Sequence, residues 1–307
     1  FNESEFTYQY LQPYIEKKSK RKKLLIVSFC NLKIKNNNIN IFELKTNLFR
    51  QLYFLTAKNK LIYSSTPDLN NSIFRTSKIQ KNRYIYLQHS SVGLVKAYNE
   101  KAFLFFDAIQ ATNKFQFSDV DYINKTYNKK IRKFKSRYKL FEKINLQSDS
   151  EKEYDLMIAP TWSTKFYNED FYKLVKKFKN LNMKILLRPH PMSLYKNELD
   201  IELIKKIGID FDQSKFPNFS KIKNLISDYS GIFIEFMITK KRKPILINTM
   251  EKNLSKIHVN RTTFEGYVRD NFSVQTSFRD LLESNLNILK SEKKLSLNET
   301  KFFENFY

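Results

Sequence analysis

The chain has 307 residues, 41% of them hydrophobic, with 28 Phe and 18 Tyr, enough for two domains of ordinary size with a substantial core. Four glycines, no GxGxxG and no GxxxxGK[ST] remove the support for a dinucleotide fingerprint or a P-loop, and a lone Cys30 excludes an internal disulfide or a cysteine-built metal site. A net charge of +24 predicts an anionic partner, whether nucleic acid, an acidic membrane surface or a phosphorylated substrate.

Residues 1–23 open aromatic and acidic and then turn basic, from Glu16 to Lys23. Such a run is a solvated face or a contact for anionic lipid. Leu24–Phe29 reads as a buried strand, and Ile41–Thr56 carries Leu48, Leu52 and Leu55 at helical spacing. Leu61–Ser64 is a second strand, running into the turn Ser65-Thr66-Pro67-Asp68. Tyr84–Leu87 is a third, ending at Gln88-His89-Ser90-Ser91, and Ala102–Ala108 with Ala111 adds buried material. Residues 124–143 mix basic and aromatic side chains. They read as an amphipathic helix with a basic outer face, or, more sharply, as a nucleic-acid or lipid contact. The polar stretch Gln147–Glu153 marks a domain boundary, giving domains of 1–148 and 149–307.

The second half repeats the alternation. Leu156–Pro160 is a strand with Thr161-Trp162-Ser163 at its end, and Asp170–Leu181 is a helix with Phe171, Leu174, Val175 and Phe178 on one face. Met183–Leu187 is a strand ending in Arg188-Pro189-His190-Pro191; Leu203–Ile207 is a helix capped by Gly208. The run Asn224–Ser227 then enters Asp228-Tyr229-Ser230-Gly231 and an apolar helix, and Lys243–Ile247 is a further strand. Phe278–Leu289 is a late helix. The tail Phe302–Tyr307 is apolar enough to pack on a domain, with the first domain as a candidate surface. Strands alternating with helices, with polar turns at the strand ends, predict an α/β fold with parallel sheets.

In such sheets ligands bind outside the carboxyl ends of the strands. His89, Thr161, Arg188, His190, Ser227, Asp228 and Ser230 all fall there; the third histidine, His258, does not. A helix starting after Ser230 offers free N–H groups and positive partial charge to a phosphate. Ser227 and Ser230 add hydroxyls there, and Gly231 admits close approach. The same residues also suit an ordinary helix cap by Asp228 or Ser230. Arg188 supplies a forked donor, and prolines on both sides hold His190.

Five segments together resemble the CDP-glycerol glycerophosphotransferases, that is, the teichoic-acid polymerases and their capsule-synthesis relatives. They are Ser65–Leu69, Tyr86–Ser90, Ile158–Trp162, Arg188–Pro191 and Ile226–Gly231, followed by Glu235 and Lys243-Pro244. The resemblance spans roughly residues 60 to 250, and its most specific part is the pairing of Arg-Pro-His-Pro with Ser-Asp-Tyr-Ser.

It implies a GT-B fold of two Rossmann-like domains facing across a cleft. The C-terminal domain would take a CDP-linked donor and the N-terminal domain the acceptor. The implied reaction is attack of an acceptor hydroxyl on the donor's β-phosphorus, releasing CMP. His89 matches the family's general base. Arg188, His190, Thr161, Ser227, Asp228, Ser230 and Gly231 match the donor-phosphate region, Asp228 orienting His190 or capping the helix. Glu235 lies where GT-B enzymes hold the donor ribose. The chain departs from the family in having Gln-His-Ser where many members have Trp-His-Gly, which leaves the transferred group and the acceptor open.

The implied setting is cytoplasmic, at the inner face of the plasma membrane. The partners would be a surface glycan or lipid-linked acceptor and an anionic membrane, not nucleic acid; the oligomeric state is left open. No signal peptide or membrane span is visible, and the chain begins at Phe1 rather than Met, which leaves room for a missing N-terminus. No cofactor is required and no metal site is evident, although a Mg²⁺ on the donor phosphates needs few protein ligands. The competing readings are a nucleotide-sugar glycosyltransferase on the same fold, a basic nucleic-acid-binding protein, and a non-catalytic scaffold. Abundant Lys, Asn, Ile and Phe also fit an AT-rich coding sequence, which would raise basicity without function.

Overall fold

The computed structural model describes residues 5–69, 81–95, 97–99, 101–136, 153–212, 214, 216–249, 263–284, 286–290 and 293–304. The described residues form two compact units, one up to residue 136 and one from residue 153. The expected boundary at 148/149 and His258 lie outside the described residues, as does most of the basic segment beyond Ser136.

The first unit opens with helix α1 (Glu5–Ser19), followed by β1 (Leu24–Ser28), β2 (Ile39–Glu43) and α2 (Asn47–Thr56). Ile41 does not begin a helix as its spacing suggested. β2 pairs in parallel with β1, and the helix waits for Thr46, whose hydroxyl accepts from Phe49 N and caps it. Next come β3 (Leu61–Ser64), β4 (Arg83–Tyr86), β5 (Ala108–Ala111), α3 (Lys114–Thr126) and β6 (Arg132–Lys135). β3 to β6 form a parallel sheet in sequence order. The basic segment therefore is not one amphipathic helix. α3 stops at Thr126 because Asn128 takes a left-handed backbone, and Asn124 clamps Ile131 through both its N–H and its carbonyl. Arg132–Lys135 then pairs as an edge strand. A core of Phe54, Tyr84, Tyr86, Phe103, Phe106, Ile109 and Val120 packs against this sheet.

The second unit runs β7 (Tyr154–Ile158), α4 (Glu169–Asn180), β8 (Ile185–Leu187), α5 (Pro191–Tyr195), α6 (Ile201–Ile207), β9 (Asp210–Phe211), β10 (Ile222–Ser227), α7 (Ile232–Lys240) and β11 (Ile245–Ile247). α8 (Phe264–Phe272), β12 (Val274–Thr276), α9 (Phe278–Glu283), α10 (Asn287–Lys290) and α11 (Leu297–Glu304) complete it. The expected late helix is broken at Ser284 because Leu286 is left-handed. Of the apolar tail, Phe302 and Phe303 pack within this unit, Phe302 stacking on Tyr267 and Phe303 meeting Phe272; residues 305–307 lie outside the described residues.

The six strands are all parallel, in the order β9-β8-β7-β10-β11-β12. This is the doubly wound order 3-2-1-4-5-6, in which strand order reverses between β7 and β10. Their apolar stretches Leu156–Ile158 and Leu225–Ile226 are buried, as expected where both faces of the sheet are covered. Leu156, Ile158, Leu174, Phe178, Ile226 and Ile247 lie in its core.

Candidate active site

The switch point between β7 and β10 is where two of the motif turns meet. β7 ends in Pro160-Thr161-Trp162 and β10 in Asp228-Tyr229-Ser230-Gly231. One side chain joins them: Asp228 accepts from Thr161 N at 2.8 Å and from Thr164 Oγ1 at 2.7 Å. It also accepts from the main chain of Ser230 and Tyr229, and burial still pushes its carboxyl up to about 6. Asp228 is fully buried. Its carboxylate thus ties the two turns together rather than capping the helix, whose cap position is Gly231 with no side-chain cap bond. Ser227 is likewise committed inward, its hydroxyl donating to Ala159 O at 2.6 Å. The half-buried Ser230 and Gly231 lead into α7, and Ser230 Oγ lies 3.5 Å from Ile232 N.

The Arg-Pro-His-Pro turn follows β8, next to β7 in the sheet. Arg188 Nη1 donates to Asp212 Oδ2 at 2.7 Å and to Ser214 O at 3.0 Å, which ties this turn to the loop after β9. Its positive charge also reaches Glu235 on the first turn of α7. Burial pushes the Glu235 carboxyl up to about 7, with Arg188 acting in the lowering direction. His190 caps α5: its Nδ1 accepts from Met192 N at 3.1 Å, so the neutral ring carries its proton on Nε2 as a donor. Its ring lies 6.3 Å from that of Trp162, over which Lys196 Nζ sits at 4.3 Å.

Sequence reasoning missed Arg269 on α8. It is buried, and it donates through Nη1 to Asp228 O at 3.1 Å and through Nη2 to Ile247 O at 3.3 Å. Its guanidinium also lies 4.4 Å over the Tyr229 ring. It thus braces the same turn from the β11 side. No motif surrounds it, and its position is visible only once the sheet is assembled.

His89 belongs to the first unit, at the carboxyl end of β4, whereas the other eight candidate residues belong to the second unit. Tyr86 Oη lies 2.8 Å from His89 Nδ1, and Tyr98 Oη lies 3.3 Å from Nε2. Burial pulls the imidazole down to about 4, against a hydrogen bond to the main chain of Ser65 acting the other way. The ring is therefore neutral near pH 7. The preceding Gln88, in place of the family's tryptophan, is buried and pairs with Gln110 on β5 through its N–H and its side-chain amide. The loop after His89 is held by α3, where Asp119 accepts from Leu94 N and Gln116 donates to Val92 O.

Among the described residues no group of three His, Cys, Asp or Glu side chains is placed to hold a metal ion. None of the described helices is long and apolar enough to cross a membrane.

Parallel α/β sheets with turn motifs at the strand ends are the architecture from which GT-B folds are built. The family model for CDP-glycerol:poly(glycerophosphate) glycerophosphotransferases matches residues 119–307, more than half of the chain, and the chain belongs to that family. Among solved structures, the wall teichoic acid polymerase TagF matches with a TM-score of 0.56 at 16% identity, over 98% of this chain and 79% of that one. A point variant of TagF matches with a TM-score of 0.59, again at 16% identity, over 100% and 82% of the two chains. A TagF variant soaked with CDPG matches with a TM-score of 0.57. No curated protein matches the chain by sequence. The protein is thus a transferase of the glycerophosphotransferase type.

Proposed function

We propose that this enzyme transfers a glycerol-phosphate-like group from a CDP-linked donor to a hydroxyl of a surface glycan or lipid-linked precursor, releasing CMP. The observation that carries this reading is the pair of turns joined by Asp228 at the switch point of the second unit, in a chain whose family is named for CDP-glycerol. The β10 turn presents Ser230, Gly231 and the start of α7, and the β8 turn, on the other side of β7, presents Arg188 with the Nε2–H of His190. These are donors suited to a diphosphate and to the charge that grows on departing CMP. Glu235 would meet the donor ribose.

His89, neutral near pH 7, takes the proton of the acceptor hydroxyl. The acceptor oxygen then forms its bond to the β-phosphorus, and the bond from that phosphorus to the bridging oxygen breaks, leaving CMP. We place the enzyme at the inner face of the plasma membrane, held peripherally on anionic lipid. Supporting this are the exposed lysines and arginine that end and follow α1 and an exposed apolar face of α2.

Titration with CDP, UDP and GDP, followed by assay of CMP and phosphodiester product, tests the reading. CDP should bind best. His89→Ala should cut turnover about 10²- to 10⁴-fold with CDP binding kept, and Ser230→Ala should weaken CDP binding about 2- to 10-fold. Preference for UDP, or CMP release without a new phosphodiester, would point to a nucleotide-sugar transferase instead.

A further inference from the structure

A general base works only if the nitrogen facing the substrate is free of its proton, and a neutral imidazole has one nitrogen of each kind. In this chain both nitrogens of His89 are met by tyrosine hydroxyls, beside the main-chain contact to Ser65, and the two tyrosine contacts differ. Tyr86 Oη is the nearer, 2.8 Å from Nδ1, and Tyr86 has no exposed surface. Its ring is locked edge-on against Phe103 and Phe106, at 4.9 and 5.4 Å between centroids, so the hydroxyl has no water to turn to. The same oxygen accepts the main-chain N–H of His89, meets the Tyr98 hydroxyl and feels the charge of Asp68. Burial, with Tyr98 and Asp68, pushes the Tyr86 phenol well above its ordinary range against the lowering effect of the His89 N–H, so it stays protonated. Tyr98 Oη is the looser contact, 3.3 Å from Nε2.

We propose that Tyr86 is a positioning residue: it accepts the Nδ1–H of His89, fixes the ring in that tautomer, and leaves Nε2 as the basic atom. The inference rests on the reading of His89 as the base. With the proton on Nδ1, the three groups close a ring in which every hydrogen is donated once. Nδ1–H goes to Tyr86 Oη, the Tyr86 hydroxyl to Tyr98 Oη, and the Tyr98 hydroxyl to Nε2. The Tyr98 hydroxyl then stands where an acceptor hydroxyl must bind, and an entering acceptor replaces one hydroxyl donor by another at no loss of hydrogen bonding. The opposite circulation puts a proton on Nε2 and leaves no base on that side.

The test is long-range ¹⁵N–¹H correlation on histidine-labelled full-length protein, with the His89 signals assigned by their loss in His89→Ala. The expected wild-type pattern is protonated Nδ1 and bare Nε2. In Tyr86→Phe, which keeps the buried ring, the proton should move to Nε2, and kcat should fall about 10- to 100-fold with KM for the donor unchanged. Tyr98→Phe should keep the wild-type tautomer. A wild-type ring protonated on Nε2 overturns the proposal even if Tyr86→Phe fails to fold. So does a Tyr86→Phe variant with unchanged tautomer and kcat. If instead His89→Ala retains full turnover, it is the reading of His89 as base that fails, while the spectrum still decides what Tyr86 does.

Discussion

Asp228 shows how a residue found by its motif acquires a different role in the fold. Its position after an apolar strand marked it for a ligand turn, but its carboxylate faces Thr161 N and Thr164 Oγ1, not solvent. Removing it leaves those donors buried without an acceptor, so Asp228→Ala should cost about 2–4 kcal/mol in urea unfolding. Asp228→Asn can keep both contacts, with Oδ1 accepting from Thr161 N and the amide donating to the Thr164 hydroxyl, and should fold. The two proteins should differ in pH dependence. A carboxyl held at about 6 in the fold, against 3.8 outside it, binds its proton more tightly when folded. Its contribution is full below pH 3.8 and is lost as the pH climbs through about 6. Wild-type stability should therefore fall relative to Asp228→Asn across that window and stay parallel above it. Parallel curves throughout would show that the fold does not shift the Asp228 carboxyl from its unfolded pKa.

At the scale of elements, the buried strands were legible because a run such as Leu156-Met157-Ile158 or Leu225-Ile226-Ser227 has one reading once a polar turn ends it. What escaped was the periphery. β2, β6, β9 and β12 are short and carry polar side chains, so pairing with a neighbour, not hydrophobic pattern, decides them. α8, with Arg269, was hidden for a similar reason: its buried positions Phe264, Val268 and Phe272 are clear only against the sheet. α2 was recognised, but not its orientation. Phe54 points inward, while Leu48, Phe49, Leu52 and Leu55 are exposed along one face, with exposed Lys45, Lys58 and Lys60 at its ends. An apolar face rimmed by lysines suits the interface of an anionic bilayer. The double variant Leu48→Asp, Leu52→Asp should lose binding to acidic vesicles by about 30-fold, equivalent to about 2 kcal/mol of lost apolar burial. CDP binding should be unchanged. Vesicle binding equal to wild type would mean that this face covers something else.

For the whole molecule, the charge of +24 and the apolar face of α2 make separable demands on a membrane. Coulombic attraction between exposed lysines and acidic headgroups decays within about 10 Å at 0.1 M salt, and over shorter distances as salt rises. Apolar insertion has no such dependence. Exposed Lys17, Lys20, Arg21, Lys22 and Lys23, near the end of α1, each contribute about 1 kcal/mol only where the surface is anionic. Binding to vesicles rich in acidic lipid should therefore fall at least about tenfold between about 0.05 and 0.5 M salt, down to a floor that salt does not remove. Neutral vesicles should show that floor alone at every salt concentration, and the α2 double variant should abolish it. The floor belongs to the element and the slope to the molecule. Equal affinity for neutral and acidic vesicles would refute the electrostatic part, and a slope with no floor would refute the part assigned to α2.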